Sequence, residues 1–113
     1  MSGITTHVLD TARGRPAAGV PVTLEAKSHG GWAVVGRGAT DTDGRLRDLA
    51  PADFHLTEGE YRLTFDAGSY FKASGGDGFY TEVVVSFVVR DAAAHYHVPV
   101  LLSPYGYTTY RGS

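Results

Sequence analysis

The sequence contains no cysteine among its 113 residues, and this absence removes three classes of protein at once. A disulfide-stapled scaffold, a thiolate zinc site and a cysteine nucleophile all need a sulfur that the chain does not have. The absence does not identify a compartment, because a cysteine-free chain folds equally well in reducing and in oxidising surroundings.

An excess of positive charge is also missing. Ten lysine and arginine residues stand against twelve aspartate and glutamate residues, which gives a formal net charge of -2. A surface that binds nucleic acid must neutralise phosphates with a basic face, so we expect no nucleic-acid partner. Intrinsic disorder is disfavoured as well, since 42% of the residues are hydrophobic and 19% are charged.

Long hydrophobic runs are absent too. The longest apolar stretch, residues 83–89, is short and contains Ser86. A membrane-spanning helix needs about 20 apolar residues, so we expect no membrane association. The first seven residues lack the basic and apolar regions of a secretory signal, and the expected location is therefore cytoplasmic.

The sequence is rich in turn-forming residues: fifteen glycines and five prolines divide it into short segments. A helix is predicted over residues 67–74, ending before Gly75. We expect one domain over residues 1–113, an all-β sandwich of seven or eight strands. Strands are predicted over residues 4–10, 20–26, 32–40, 60–66, 80–89, 96–102 and 105–110.

The strand around residues 83–89 has apolar residues at odd and even positions, which predicts burial on both faces. In so small a domain, a subunit interface or a central position in the sandwich would provide that burial. The pattern does not choose between them.

Alternation assigns the polar side chains of the two terminal strands to faces. If Val8 and Val98 point to the core, then His7, His95 and His97 point away from it. Periodicity does not show whether the three imidazoles converge.

Three interpretations of the histidine pair His95 and His97 stay open: two half-exposed strand residues, acid–base chemistry, or zinc ligation with a third donor. His29 and His55 lie beside turn signals and are interpreted as solvated loop residues. The segment 41–44 (DTDG) has part of a calcium-loop pattern, but the remaining ligands are missing, so we predict a plain turn.

Both ends of the chain resemble the transthyretin-like family. The similar segments are residues 4–17 (ITTHVLDTARGRPA) and residues 96–113 (YHVPVLLSPYGYTTYRGS). The final tetrapeptide YRGS resembles the ending of the family's enzyme branch, 5-hydroxyisourate hydrolase. Residues 40–45 (TDTDGR) and 65–71 (FDAGSYF) resemble the family's turn and its strand-to-helix segment.

The resemblance implies a transthyretin-like (prealbumin-like) eight-stranded β-sandwich with one short helix. It implies a homotetramer, built as a dimer of dimers, with active sites in the grooves where the dimers meet. The implied reaction hydrolyses the N1–C6 bond of 5-hydroxyisourate to 2-oxo-4-hydroxy-4-carboxy-5-ureidoimidazoline, on the way from urate to allantoin. It implies no metal and no other cofactor.

The family's functional residues map onto both ends of the chain and onto the turn. The implied catalytic residues are His7, Arg45 (rather than Arg47), His97 and Ser113. Which histidine is the general base stays open, with His7 beside Ser113 favoured. The alternative is a non-catalytic carrier of small aromatic ligands. A carrier keeps a ligand channel open, and the YRGS ending would narrow that channel. The implied substrate-binding residues are His7, Arg45, His97, Tyr110, Arg111, Gly112 and Ser113.

Overall fold

The computed structural model describes residues 3–113, which form two β-sheets packed as a sandwich and one short helix. This confirms the predicted all-β sandwich. The elements are β1 (Ile4–Asp10), β2 (Arg15–Pro16), β3 (Pro21–Ser28), β4 (Gly31–Ala39), β5 (Arg45–Leu46), β6 (Gly59–Phe65), α1 (Ala67–Ala73), β7 (Val83–Val89), β8 (Tyr96–Ser103) and β9 (Gly106–Thr109).

All seven longer strands and the helix were predicted, with boundaries that differ by three residues or fewer. The strands β2 and β5 were not predicted. Each has two residues, too few to show the alternation that identifies a strand. They bring the number of strands within residues 3–113 to nine.

The strand order brings the two ends of the chain together. One sheet has the order β2-β1-β8-β9, with β5 also paired to β1, and the other has the order β4-β3-β6-β7. Strands β1 and β8 run parallel, with Thr5 opposite His97 and His7 opposite Pro99. The two segments that carry the family resemblance are therefore neighbours in the fold.

The core lies between the two sheets. Val8 and Val100 are fully buried and Val98 is nearly so, as the alternation predicts. Their outward-facing neighbours in β1 and β8 are therefore left for the surface of the five-stranded sheet. The largest fully buried side chains include Ile4, Leu24, Leu49, Tyr61, Leu63, Phe65 and Leu102.

Strand β7 differs from its prediction. Val83 and Val89 are buried, but Val84 and Val88 are 46% and 45% exposed. The prediction of burial on both faces is wrong for the single chain, because each strand of a two-sheet sandwich has only one face on the core, and Val84 and Val88 lie on the other face. Its second face is apolar and uncovered.

Helix α1 is fixed at both ends. The Asp66 side chain accepts a hydrogen bond from the Ser69 backbone N–H at 3.0 Å, which caps the first turn. Gly75, at φ 81°, follows the last turn. The Tyr70 hydroxyl donates to buried Asp10 at 2.6 Å and ties the helix to β1.

Within residues 3–113, no helix is long and apolar enough to cross a membrane.

Candidate active site

The parallel pairing of β1 and β8 brings two imidazoles to one hydroxyl. Oγ1 of Thr5 lies 2.8 Å from Nδ1 of His97 and 3.0 Å from Nε2 of His95. The two rings are nearly parallel, with centroids 6.5 Å apart. Thr5 is 5% exposed although it is on the outward face, because these rings cover it. His95, just before β8, and His97, within it, therefore converge on Thr5, which periodicity alone did not show.

The polar turn before β5 positions the arginine of the predicted site. The Asp41 carboxylate accepts hydrogen bonds from the backbone N–H groups of Asp43 at 2.8 Å and Arg45 at 3.0 Å. These bonds, that of Arg45 first, hold the pKa of Asp41 below its usual value. Gly44 has φ 77°, and a Cβ there would lie 2.3 Å from the Val8 carbonyl oxygen. The segment is a plain turn, as predicted.

His7 is anchored by the same turn. It pairs with Arg45 across β1 and β5, and its Nε2 lies 2.8 Å from the carbonyl oxygen of Asp43. A carbonyl oxygen only accepts, so Nε2 carries the hydrogen and donates it. In the neutral ring the lone pair is then on Nδ1, which is the atom of His7 that can take up a proton.

The C-terminal tail is held against β8. The backbone N–H of Gly112 donates to the His97 carbonyl at 2.8 Å. The guanidinium of Arg111 lies 4.5 Å from the centre of the Tyr96 ring, in cation–π geometry. Its Nη2 also donates to the carbonyl of His95 at 3.3 Å. These contacts bring the end of the chain to the histidines.

An open cavity of about 330 Å³ lies on this face of the sheet. Three of the four predicted catalytic residues line it, namely Arg45, His97 and Ser113. His7 is not among the lining residues, but it is the register partner of Arg45, which does line the cavity. The lining residues are Thr5, Thr6, Arg45, Arg47, His95, His97 and Ser113.

The predicted tetrapeptide is divided between two cavities. Ser113 lines the histidine cavity, and Gly112 packs beside the His97 ring. Tyr110 and Arg111 line a second, mainly apolar cavity of about 240 Å³ that reaches to β7. The predicted contact of Tyr110 and Arg111 with substrate stays a prediction.

His97 is set up as a neutral imidazole. Burial lowers the pKa of His97 from its ordinary 6.5, and the nearby charges of Arg45, His7 and His95 act in the same direction. His97 is therefore largely uncharged at pH 7. A neutral imidazole has one donor and one acceptor nitrogen, the form that acid–base chemistry requires.

The zinc interpretation of the histidine pair needs a third donor. Within residues 3–113, no three His, Cys, Asp or Glu side chains are grouped so that they could hold a metal ion. One ring nitrogen of each histidine, Nε2 of His95 and Nδ1 of His97, forms a hydrogen bond with the Thr5 hydroxyl. The two loop histidines, His29 and His55, are exposed, as predicted.

Thr5 and Arg47 complete the cavity and were missed as site residues. Alternation places Thr5 on the same face as His7, which was a usable signal. Its partnership with His97 depends on the register between strands 92 residues apart, which no local pattern reveals. Arg47 lies two residues beyond Arg45 and shares its face by the same alternation.

Fold and site together define a β-sandwich protein with a small polar cavity on the outer face of one sheet, built from imidazole, guanidinium and hydroxyl groups. The model of the HIUase/transthyretin family matches residues 4–112, and the chain belongs to that family.

The similar proteins include members of both branches of the family. The 5-hydroxyisourate hydrolase of Caulobacter vibrioides is 48% identical, and the alignment covers 100% of both chains. The solved 5-hydroxyisourate hydrolase of Klebsiella pneumoniae is 34% identical with a TM-score of 0.84, covering 97% of this chain and 98% of that one. Sea bream transthyretin, solved in complex with thyroxine, is 30% identical with a TM-score of 0.91, covering 98% and 95%.

Proposed function

We propose that this protein hydrolyses 5-hydroxyisourate at the N1–C6 bond and forms 2-oxo-4-hydroxy-4-carboxy-5-ureidoimidazoline, a step between urate and allantoin. The observation that carries the proposal is the meeting of Arg45, His97 and Ser113 around one polar cavity, with His7 as the register partner of Arg45. The activity named for the Caulobacter and Klebsiella relatives supports the same choice.

Hydrolysis of a ring amide has three requirements: a general base must activate the water, a positive group must polarise the carbonyl, and an acid must protonate the leaving nitrogen. His7 takes the proton of the attacking water at Nδ1, because its Nε2 is engaged with the turn. The water oxygen bonds to C6, the C6–N1 bond breaks, and His97 supplies the proton that N1 receives. Ser113 orients the water.

Arg45 acts on the oxygens of the substrate. A guanidinium offers two parallel N–H donors to a planar heterocycle and stabilises the negative charge that develops on the carbonyl oxygen. Its position across from His7 places this charge next to the proposed base. The same positive charge helps to keep His97 neutral.

The carrier alternative shares the fold, and a fold alone does not decide between the two functions. A site that carries small aromatic ligands is lined mainly by apolar groups with few polar ones. The cavity beside His97 is lined by two guanidinium groups, two imidazoles and three hydroxyl side chains. That composition favours acid–base chemistry.

We also propose that the chain assembles as a homotetramer, a dimer of dimers. Large apolar side chains are exposed on the edge strand β7, at Val84 and Val88, and in nearby loops, where Phe79 and Tyr105 are 70% and 78% exposed. Exposed apolar edges of this kind typically pair with another chain. Light scattering should give about 48 kDa for four chains of 12.0 kDa. A mass of one chain would contradict the assembly.

The direct test of the activity is spectroscopic. Urate oxidase acting on urate generates 5-hydroxyisourate in the cuvette, and the decay of its ultraviolet absorbance is followed with and without the protein. We expect the protein to accelerate the decay in proportion to its concentration. A decay rate equal to the spontaneous rate, together with saturable binding of an aromatic ligand, would support the carrier instead.

The two arginines of the cavity give a matched comparison. Lysine keeps the charge of arginine but loses the planar pair of donors. We expect Arg45→Lys to lower kcat/KM by about 10- to 100-fold and Arg47→Lys to change it by about threefold or less. The reverse ranking would show that Arg47 is the arginine that contacts the substrate.

Glycine at position 112 is required by the packing of the tail. A Cβ there would lie 2.6 Å from Cδ2 of His97 and 3.2 Å from Cγ of Pro99, so Gly112→Ala must displace the tail or the ring. We expect kcat to fall by about tenfold with unchanged unfolding temperature. Gly76→Ala is the control, because a Cβ there meets open space. Equal rates for both variants would contradict a role for the tail.

Chelation tests the independence from metal. The proposed mechanism uses side-chain groups alone, so treatment with EDTA followed by dialysis should leave the rate of hydroxyisourate decay unchanged. A loss of activity that zinc restores would instead identify His95 and His97 as ligands.

A further inference from the structure

The hydroxyl of Thr5 is a buried hydrogen-bonding group between two imidazoles, and the mechanism above does not use it. We propose that Thr5 is a positioning residue: together with His95, its hydroxyl holds His97 in the tautomer that carries hydrogen on Nε2. The inference deepens the proposed function of this cavity and rests on it. It explains why Nε2 of His97 carries the proton that the leaving nitrogen receives.

The hydrogen bonds of Thr5 link the two rings. A hydroxyl has one hydrogen to donate and two lone pairs to accept with. Oγ1 is within hydrogen-bonding distance of Nδ1 of His97 and of Nε2 of His95, but it can donate to only one of them. The other nitrogen must then carry a hydrogen and donate to Oγ1. The tautomers of the two histidines are therefore not independent.

The ring nitrogen of His95 that carries hydrogen sets the direction, and we infer that it is Nε2. An exposed imidazole can be the imidazolium, the neutral ring with hydrogen on Nε2, or the neutral ring with hydrogen on Nδ1, and in the first two forms Nε2 donates. When His95 donates to Thr5, the hydrogen of the buried Thr5 hydroxyl has Nδ1 of His97 as its one remaining partner among residues 3–113, and the hydroxyl donates to it, since a buried O–H without an acceptor is costly. Nδ1 is then an acceptor, and the hydrogen of the neutral His97 ring is on Nε2.

This tautomer has the proton on the side of His97 that is not engaged with Thr5. When Nε2 gives its proton to the leaving nitrogen, Thr5 passes its own proton to Nδ1 and takes one from Nε2 of His95. The exposed His95 ring takes up a proton from solvent at its Nδ1, and His7 releases to solvent the proton that it took from the attacking water, so no net acid or base is formed. After the product leaves, protonation of His97 at Nε2 and the reverse shift through Thr5, with loss of the Nδ1 proton of His95 to solvent, restore the resting tautomers. Every bond broken to hydrogen is matched by one formed, and His97 stays neutral throughout. Its burial and the charge of Arg45 favour that neutral state.

Kinetics of three variants test the role of the hydroxyl. Thr5→Val replaces the hydroxyl by a methyl group of similar size, and we expect kcat to fall by roughly 10- to 100-fold with KM changed by about threefold or less. Thr5→Ser keeps the hydroxyl and should restore most of kcat. Thr57→Val is the control, because the Thr57 hydroxyl also forms a hydrogen bond with another side chain, the Tyr61 hydroxyl at 3.2 Å, and Thr57 does not line the cavity. It should lower the unfolding temperature but keep kcat.

A serine variant as slow as the valine variant, with both folded, would show that methyl packing rather than the hydroxyl matters, and would overturn the proposal. So would a valine variant with the kcat of the unchanged protein.

The tautomer can be observed without any turnover. Nitrogen-15 NMR of histidine-labelled protein distinguishes protonated from unprotonated ring nitrogens. We expect His97 to show hydrogen on Nε2 in the unchanged protein and in Thr5→Ser, and a mixture of tautomers in Thr5→Val. This readout separates the two proposals: a protein inactive on 5-hydroxyisourate would refute the proposed function, whereas hydrogen on Nδ1 of His97 would refute the role of Thr5.

The part assigned to His95 has its own test. His95→Phe keeps an aromatic ring beside Thr5 but has no nitrogen to donate. The Thr5 hydroxyl can then either donate to His97 or accept from it, so we expect both His97 tautomers in the spectrum. A His97 spectrum unchanged by this substitution would show that His95 does not set the direction.

Discussion

We expect His97→Ala to lower kcat for 5-hydroxyisourate by about 10²–10⁴-fold, and His7→Ala to do the same, because each removes one of the two proton transfers of the proposed mechanism. The two histidines act at opposite ends of the reaction, one on the water and one on the leaving nitrogen. The measurement is the initial rate of hydroxyisourate decay at saturating substrate, with equal concentrations of folded protein.

The exposed loop histidines provide the controls for this prediction. His29→Ala and His55→Ala remove imidazoles that lie outside the cavity and should keep the rate of the unchanged protein. Light scattering and thermal unfolding establish that the His7 and His97 variants remain assembled and folded. Rates near normal in both site variants would rule out the acid–base mechanism.

The parts of the fold that could be predicted are those that a local pattern determines. Alternation in β1 and β8 identified Val8 and Val98 as core residues, because a strand with one face on the core has period two. The same alternation placed His7 and His97 outside the core. The C-terminal end of α1 followed from the glycine beyond it.

The parts that could not be predicted depend on pairing between distant segments. The parallel register that places Thr5 beside His97 joins residues 92 positions apart, and nothing in either strand specifies the other as its neighbour. The two-residue strand β5, which aligns Arg45 with His7, is too short for a pattern. The resemblance to the family selected these residues, but it did not give their geometry.

Strand β7 shows how a correct pattern can lead to a wrong expectation. Its apolar residues on both faces do require burial, but a single chain supplies cover for only one face, since each sheet of the sandwich has only its inner face on the core. Exposed Val84 and Val88 are therefore better explained by the proposed assembly than by the fold of one chain. Periodicity cannot distinguish cover by the same chain from cover by another.

We expect deletion of residues 110–113 to lower kcat/KM for hydrolysis by about 10³-fold or more, while the sandwich stays folded. The deletion removes Ser113 from the cavity and breaks the hydrogen bond between Gly112 and the His97 carbonyl. The cation–π contact of Arg111 with Tyr96 is lost with it. The sheet itself is retained, because β9 ends at Thr109 and keeps its pairing with β8.

Deletion of Ser113 alone separates the two contributions of the tail. The shorter chain keeps Gly112 on β8 and Arg111 on Tyr96, so His97 keeps its support, but the terminal hydroxyl no longer orients the water. We expect a loss of about tenfold to 100-fold for this variant, between the unchanged chain and the four-residue deletion. Circular dichroism and light scattering identify any loss of fold or assembly. Full activity of the four-residue deletion, which ends at Thr109, would contradict a role for the tail. It would show that the cavity functions without Ser113 and without the hydrogen bond between Gly112 and His97.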